Sequence, residues 1–316
     1  MLTFEREISA LEAAGALDAA AAARLRTIER REIFSVYPEL RALSWGGVML
    51  IVAGVGVLVS KHLDRIGPSA LAAVIALMAA ACYAYAVWRR VSATRSLVDD
   101  YVLLLGALLL SADLGYLESQ FHLLDQGWPR HLLILTVAHG VGAYLFDSRA
   151  LLALSISALA AWIGIEQRAS RVVQSVIFGS HTVTSLRAFV CAAIVLAWRL
   201  ADQRLRASRA FEGVFDHFAA NLALLGALVL AFDDAARPAG TLLTLALAGA
   251  VVAYGIRRGE EAFILYASVY AVVAVDSFAL NHIRGATTML LYLVVSSIAA
   301  IVGLFMLHSR YKRRET

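Results

Sequence analysis

The sequence predicts an all-α, polytopic helical membrane protein with about ten transmembrane helices. Three observations carry that prediction. The chain of 316 residues is 60% hydrophobic and only 16% charged, with a mean hydropathy of +0.73. Soluble chains run at about 45–50% apolar and about 25% charged residues, so an ordinary soluble enzyme is excluded, and disorder is excluded with it. The apolar residues fall into stretches near the roughly 20 residues that cross a bilayer core as a helix. The basic residues fall between those stretches on one side of the predicted topology.

Ten apolar stretches follow in order: 42–60, 68–88, 98–118, 131–147, 150–166, 183–201, 216–233, 238–256, 262–281 and 286–308. The fourth and fifth are short. Only Asp147, Ser148 and Arg149 separate them, and a charged triplet there predicts a tight helical hairpin. Residues 1–41 are hydrophilic, so the first span is expected to act as its own uncleaved signal. Phe4, Ile8 and Leu11 lie at helical spacing, Gly15 suits a helix stop and Asp18 a helix start, which predicts a helical hairpin before the first span. The expected segments are a cytoplasmic hairpin at 1–41, two leading spans at 42–97, four-helix units at 98–215 and 216–308, and a basic tail at 309–316.

Orientation follows from the cations. With ten spans, both termini and every even-to-odd connection share one side, which carries 20 of the 28 Arg and Lys residues; the other side carries 8. The positive-inside rule then places both termini in the cytoplasm of a bacterial inner membrane. Trp45, Trp88 and Trp198 fall at predicted inner ends, and Trp128 and Trp162 at outer ends, as an aromatic belt requires. The net charge of +4 is therefore a topological signal and asks for no nucleic-acid partner.

Two stretches repeat. Residues 104–113 read LLGALLLSAD and residues 224–233 read LLGALVLAFD. Val141, Ala143 and Tyr144 recur as Val251, Ala253 and Tyr254 at a slightly shorter offset, and the register sets Glu166 against Asp276. Spans three to six would thus recur as spans seven to ten, related by an axis along the membrane normal. Shared Ala/Leu composition is the competing account.

Ionisable groups inside a membrane are costly and mark function by default. The candidates are Asp113, His139, Glu166, Asp233 and Asp276, with Asn221 as a neutral companion. The four acids lie on outward-running spans, in the outer half or at the outer end. One reading is a polar site between the two halves that binds a solute, cation or lipid, or relays protons. The more economical reading pairs each acid with a nearby outer arginine: Arg130, Arg168, Arg171, Arg237 or Arg284. A lone intramembrane histidine most often makes a helix–helix hydrogen bond.

No Walker-type GxxxxGK[ST], HExxH or GxSxG motif is present, and Cys82 and Cys191 are isolated in apolar runs. No cofactor or metal is expected, and an enzyme is the weakest class. The leading expectation is a transport-type or small-solute- or lipid-binding membrane protein. The alternative is a non-catalytic scaffold or regulator that offers residues 1–41 to a cytoplasmic partner.

Four stretches in order, ISALEAAGALDAAAAARL, LSWGGVMLIVAGVGVLVSKHLDRIGP, LLLGALLLSADLGYLESQFHL and YLFDSRALLALSISALAAWIG, carry a family likeness. Over roughly residues 1–166 the chain resembles the predicted bacterial membrane proteins of domain-of-unknown-function family 2157. The turn Gln120-Phe121-His122-Leu123 and the hairpin Ser148-Arg149-Ala150-Leu151 are its most specific pieces. His62-Leu63 departs from it, since an aromatic residue is expected there. The resemblance implies a polytopic inner-membrane protein with a cytoplasmic N-terminal hairpin, and no catalytic residues.

Overall fold

A computed structural model describes Ile8 and residues 11–29, 37–62, 67–90, 97–121, 128–164, 181–205 and 210–315. Among these residues every regular element is a helix: α1 (Ala19–Glu29), α2 (Tyr37–His62), α3 (Pro68–Arg90), α4 (Leu97–Phe121), α5 (Trp128–Phe146), α6 (Arg149–Ile163), α7 (His181–Leu205), α8 (Glu212–Ala231), α9 (Arg237–Arg258), α10 (Glu261–Leu280) and α11 (Ala286–Glu315). Each of α2 to α11 overlaps one predicted apolar stretch. Seven helices are long and apolar enough to cross a membrane, and three shorter apolar ones lie at Ala42–Gly54, Arg130–Phe146 and Arg149–Ile163.

The N-terminal hairpin forms as its turn residues dictate. Gly15 takes φ +68°, which favours a residue without Cβ, and its N–H closes on Glu12 O at 3.1 Å. Asp18 then caps α1, its Oδ1 accepting from the Ala21 N–H at 2.6 Å. Ile8 and Ala22 are both buried.

The chain packs as successive hairpins. The closest neighbours are α3 with α4, α5 with α6, α7 with α8, and α9 with α10. The α5–α6 turn is as tight as its charged triplet predicts. Asp147 takes φ +51°, Ser148 is the N-cap of α6, and the Ser148 N–H reaches back to Ala143 O at 3.0 Å. The α9–α10 turn repeats this geometry: Gly259 takes φ +72° and the Glu260 N–H reaches Gly255 O, also at 3.0 Å.

Glycine sets the interhelical distance at two matched places. A Cβ on Gly106 of α4 would lie 2.8 Å from the Cys82 Cβ, with Ala79 and Tyr83 next. A Cβ on Gly226 of α8 would meet Ser185, Ala188 and Phe189 of α7 at 3.2–3.3 Å. Small residues permit such close backbone approach, which is how helices gain packing energy where lipid removes the hydrophobic drive.

The largest buried cluster among the described residues runs from α3 to α8 through Ala86, Ala107, Ala143, Ile156, Val195 and Phe215. Trp198 belongs to it. Its ring packs on Phe215 with centroids 5.6 Å apart, and its Nε1–H donates to the Tyr144 hydroxyl at 2.9 Å. Trp45 and Trp88 are exposed, as belt residues are, but Trp198 is turned inward because it has a buried aromatic partner.

Candidate functional site

The predicted polar residues are not brought together. Among the described residues, no hydrogen bond or ion pair joins any two of Asp113, His139, Asp233 and Asp276. Each has its own environment, and one lies in a groove.

Asp113 is on the stripe of α4 that faces α3, in line with Gly106, Leu109 and Tyr116. It is 5% exposed, and its Oδ1 has no hydrogen-bond partner among the described residues. His139 of α5 is fully buried and meets the Ser111 hydroxyl of α4 at 2.8 Å through Nε2. The Ser111 hydroxyl also lies 2.9 Å from Ala107 O, so Ser111 bridges His139 to the α4 backbone. His139 Nδ1 is buried with no hydrogen-bond partner among the described residues. His139 thus makes the helix–helix hydrogen bond expected of a lone intramembrane histidine.

Asp233 lies outside any helix. The stretch 216–233 places it in a span, but α8 ends at Ala231 and Asp233 begins the turn into α9. Its Oδ1 accepts from the Ala235 N–H at 3.0 Å and its Oδ2 from the Thr182 hydroxyl at 3.3 Å. Arg237 pairs with the exposed Asp234 at 2.5 Å rather than with Asp233. Asn221 donates to His217 O within its own helix at 2.9 Å, a local side-chain-to-backbone bond. Glu166, Arg168 and Arg171 lie outside the described residues.

Asp276 differs from the others. Two hydroxyls of α11 converge on its Oδ1: Tyr292 at 2.9 Å and Ser296 at 2.6 Å. It lines a groove of about 400 Å³ between α10 and α11, with Ser268, Tyr292 and Ser296 as the other polar wall and alanines, valines and Gly303 as the rest. No arginine or lysine lines the groove. The wall formed by α11 is open, since none of residues 286–303 is buried. The groove therefore lies at the edge of the helix array.

A second polar cluster escaped sequence reasoning. At the arginine-rich end, Arg199 of α7 grips Asp216 of α8 with Nε at 2.6 Å from Oδ1 and Nη2 at 3.3 Å from Oδ2. The Tyr254 hydroxyl of α9 donates to Asp216 Oδ2 at 2.6 Å. Arg258 reaches Glu212 at 3.4 Å and Asp216 at 3.9 Å, and Gln203 donates to Glu212 Oε1 at 2.8 Å. A smaller counterpart joins α3 to α4: Arg89 Nε lies 3.1 Å from Asp99 Oδ1, which also accepts from the Tyr85 hydroxyl at 3.1 Å. The signal was present as acids set among loop arginines, at 202, 212 and 216 beside 199, 204, 206 and 209. These pairs tie helices together. No group of three or more His, Cys, Asp or Glu among the described residues is placed to hold a metal ion.

Apolar helices paired as hairpins, with ion pairs confined to their ends, define a multi-pass membrane protein, and contact with the lipid bilayer follows from that class. A family model described as a predicted membrane protein (DUF2157) matches residues 9–152. The chain is similar to that family from the N-terminal hairpin through α5 into α6, so Asp113 and His139 fall within the likeness and the Asp276 groove outside it. No curated protein and no solved structure matches the chain.

Proposed function

We propose that this chain is a ten-span bacterial inner-membrane protein of transport type, with both termini cytoplasmic, that binds a small solute or lipid at a polar site centred on Asp276. The observation that carries the reading is a carboxylate in a groove without a cation to neutralise it. A charge in apolar surroundings is kept only where something repays its cost. Both hydroxyls hold Oδ1, and no hydrogen bond among the described residues reaches Oδ2 of this groove-lining carboxylate. Its volume falls within the range of small-molecule pockets, about 300–1,000 Å³. Asp113, with no partner on Oδ1, is the second intramembrane acid open to a proton or ligand role. His139, Asp233 and Asn221 serve packing in this reading, and Glu166 keeps its candidacy through its register with Asp276 alone.

A parallel repeat of four helices supports the transport-type reading. Gly106 and Gly226, the two tight turns at Asp147 and Gly259, and the ion pairs Arg89–Asp99 and Arg199–Asp216 each recur four helices later. The groove belongs to the second of the two four-helix units rather than to the seam between them. Residues 1–41 have a partly packed seam at Ile8 and Ala22 and an exposed Leu11, which favours a second reading of them as a small docking hairpin for a cytoplasmic protein.

Thermal unfolding of the purified chain against a panel of monovalent cations, amines and phospholipids tests the site. The expected result is a solute that raises the midpoint of the native chain and leaves Asp276→Asn unmoved. A panel that acts equally on both proteins overturns the proposal.

A further inference from the structure

The groove also indicates what kind of molecule it takes, an inference that rests on the Asp276 site proposed above. We infer that the α10–α11 groove binds a lipophilic organic cation that enters sideways from the bilayer. Three features converge on this ligand.

The first is shape. A bare metal ion or a water needs a far smaller space, of about 30 Å³ for a water, than the roughly 400 Å³ available here. Nor does the groove gather the anionic ligands of a metal site: Asp276 is the one carboxylate in its lining, and no group of three or more His, Cys, Asp or Glu among the described residues is placed to hold a metal ion. The groove offers a single carboxylate and three hydroxyls on a wall that is otherwise apolar. That suits one positive charge on a greasy body.

The second is charge. Elsewhere among the described residues, partly buried carboxylates that carry an ion pair meet arginine: Asp99 meets Arg89, and Asp216 meets Arg199 and Arg258. At Asp276 the protein supplies hydroxyls and no cation. The hydroxyls orient the carboxylate without cancelling it, so it attracts a positive group strongly in surroundings that screen poorly.

The third is access. The groove wall on α11 is built of Ala299, Ala300 and Gly303, small residues that leave room for a bulky body. The neighbouring face of α11 is exposed and apolar through Leu290, Val294, Ile298 and Ile301. In a bilayer that face meets acyl chains, so the route into the groove runs through lipid. Hydrophilic amines and inorganic cations do not dissolve there; lipophilic cations do.

The test uses the full chain in lipid nanodiscs and two probes of matched shape and opposite charge, tetraphenylphosphonium and tetraphenylborate, followed by equilibrium dialysis. Saturable binding of tetraphenylphosphonium is expected. Asp276→Asn is expected to weaken it by about tenfold or more, because its amide oxygen still accepts both hydroxyls but the charge is gone. Ala300→Phe fills the groove without touching the carboxylate, and is expected to remove binding as well. Tetraphenylborate is expected only to partition, with no saturation and no response to either substitution. If tetraphenylphosphonium binds the native chain and Asp276→Asn alike, the inference is overturned. Should some neutral or anionic solute in the thermal panel depend on Asp276 while tetraphenylphosphonium does not, the site stands and its assignment to cations falls. If no probe distinguishes the variants in either assay, both fall.

Discussion

Gly240→Ala is expected to be among the most damaging single-methyl additions in the molecule. Gly240 lies in the first turn of α9, against the end of α8. A Cβ there would sit inside the contact radii of Ala231 N and Leu230 C, and 2.7 Å from Leu230 O. That last distance is roughly 0.7 Å short of ordinary van der Waals contact, which begins near 3.4 Å. The obstructing atoms are backbone, so no side chain can swing aside and α9 itself has to retreat. Its retreat loosens Thr241, Thr244 and Ala248, which are buried along the same helix. Overpacking of this kind costs about 1–3 kcal/mol, and the backbone obstacle argues for the upper part of that range. Better helix propensity gives back at most about 1 kcal/mol. The net expectation is a loss of about 2 kcal/mol. Gly249→Ala on the same helix is the control: nothing lies within 4 Å of its Cβ, and it is expected to gain about 0.5–1 kcal/mol. Unfolding of both variants in mixed micelles, followed by circular dichroism, reads the difference. If Gly240→Ala is as stable as Gly249→Ala, the close α8–α9 approach described above is wrong.

Three further predictions concern charge. Arg199→Leu is expected to lose about 2 kcal/mol, since it leaves Asp216 only the Tyr254 hydroxyl and the more distant Arg258, and Arg199→Leu with Asp216→Leu is expected to recover much of that loss; simple additivity in the same unfolding assay contradicts a coupled pair. Asp113→Asn is expected to leave stability unchanged or raise it, because it removes an acid whose Oδ1 has no partner, whereas a drop of about 2 kcal/mol points to a cation among the residues not described. For topology, with Cys82 and Cys191 replaced by alanine, a cysteine at Asp234 is expected to react with an impermeant maleimide in intact cells and one at Arg257 only after lysis. The reverse pattern inverts the proposed orientation.

The helices were legible because hydrophobic length is a property of the sequence itself: the ten apolar stretches reappear as α2 to α11 within a few residues. Local chemistry was equally readable at Gly15, Asp18 and the Asp147–Arg149 turn, where the residue type alone selects the backbone. What sequence reasoning could not see is which helix ends converge. Asp216 reads only as the first residue of the seventh apolar stretch until α7, α8 and α9 bring Arg199, Tyr254 and Arg258 around it. Asp276 reads as an acid awaiting an outer arginine, because nothing in its neighbourhood announces that Tyr292 and Ser296 will reach back from α11. Asp233 reads as intramembrane because its LLGALVLAFD run is apolar up to the acid, although the helix ends two residues earlier.

The pairing of each helix with its immediate successor bears on how the molecule is made. Among the described residues the principal contacts join α3 to α4, α5 to α6, α7 to α8 and α9 to α10. A chain whose principal contacts are so short-range can fold largely in the order in which it is synthesised, because each of these eight helices meets its main partner within its own hairpin. The hairpin is then the unit of insertion as well as of packing. Nascent chains stopped after Phe121, Ile163, Ala231 or Leu280 would each leave the ribosome with whole hairpins, whereas those stopped after Arg90, Phe146, Leu205 or Arg258 would expose one helix with an unfilled side.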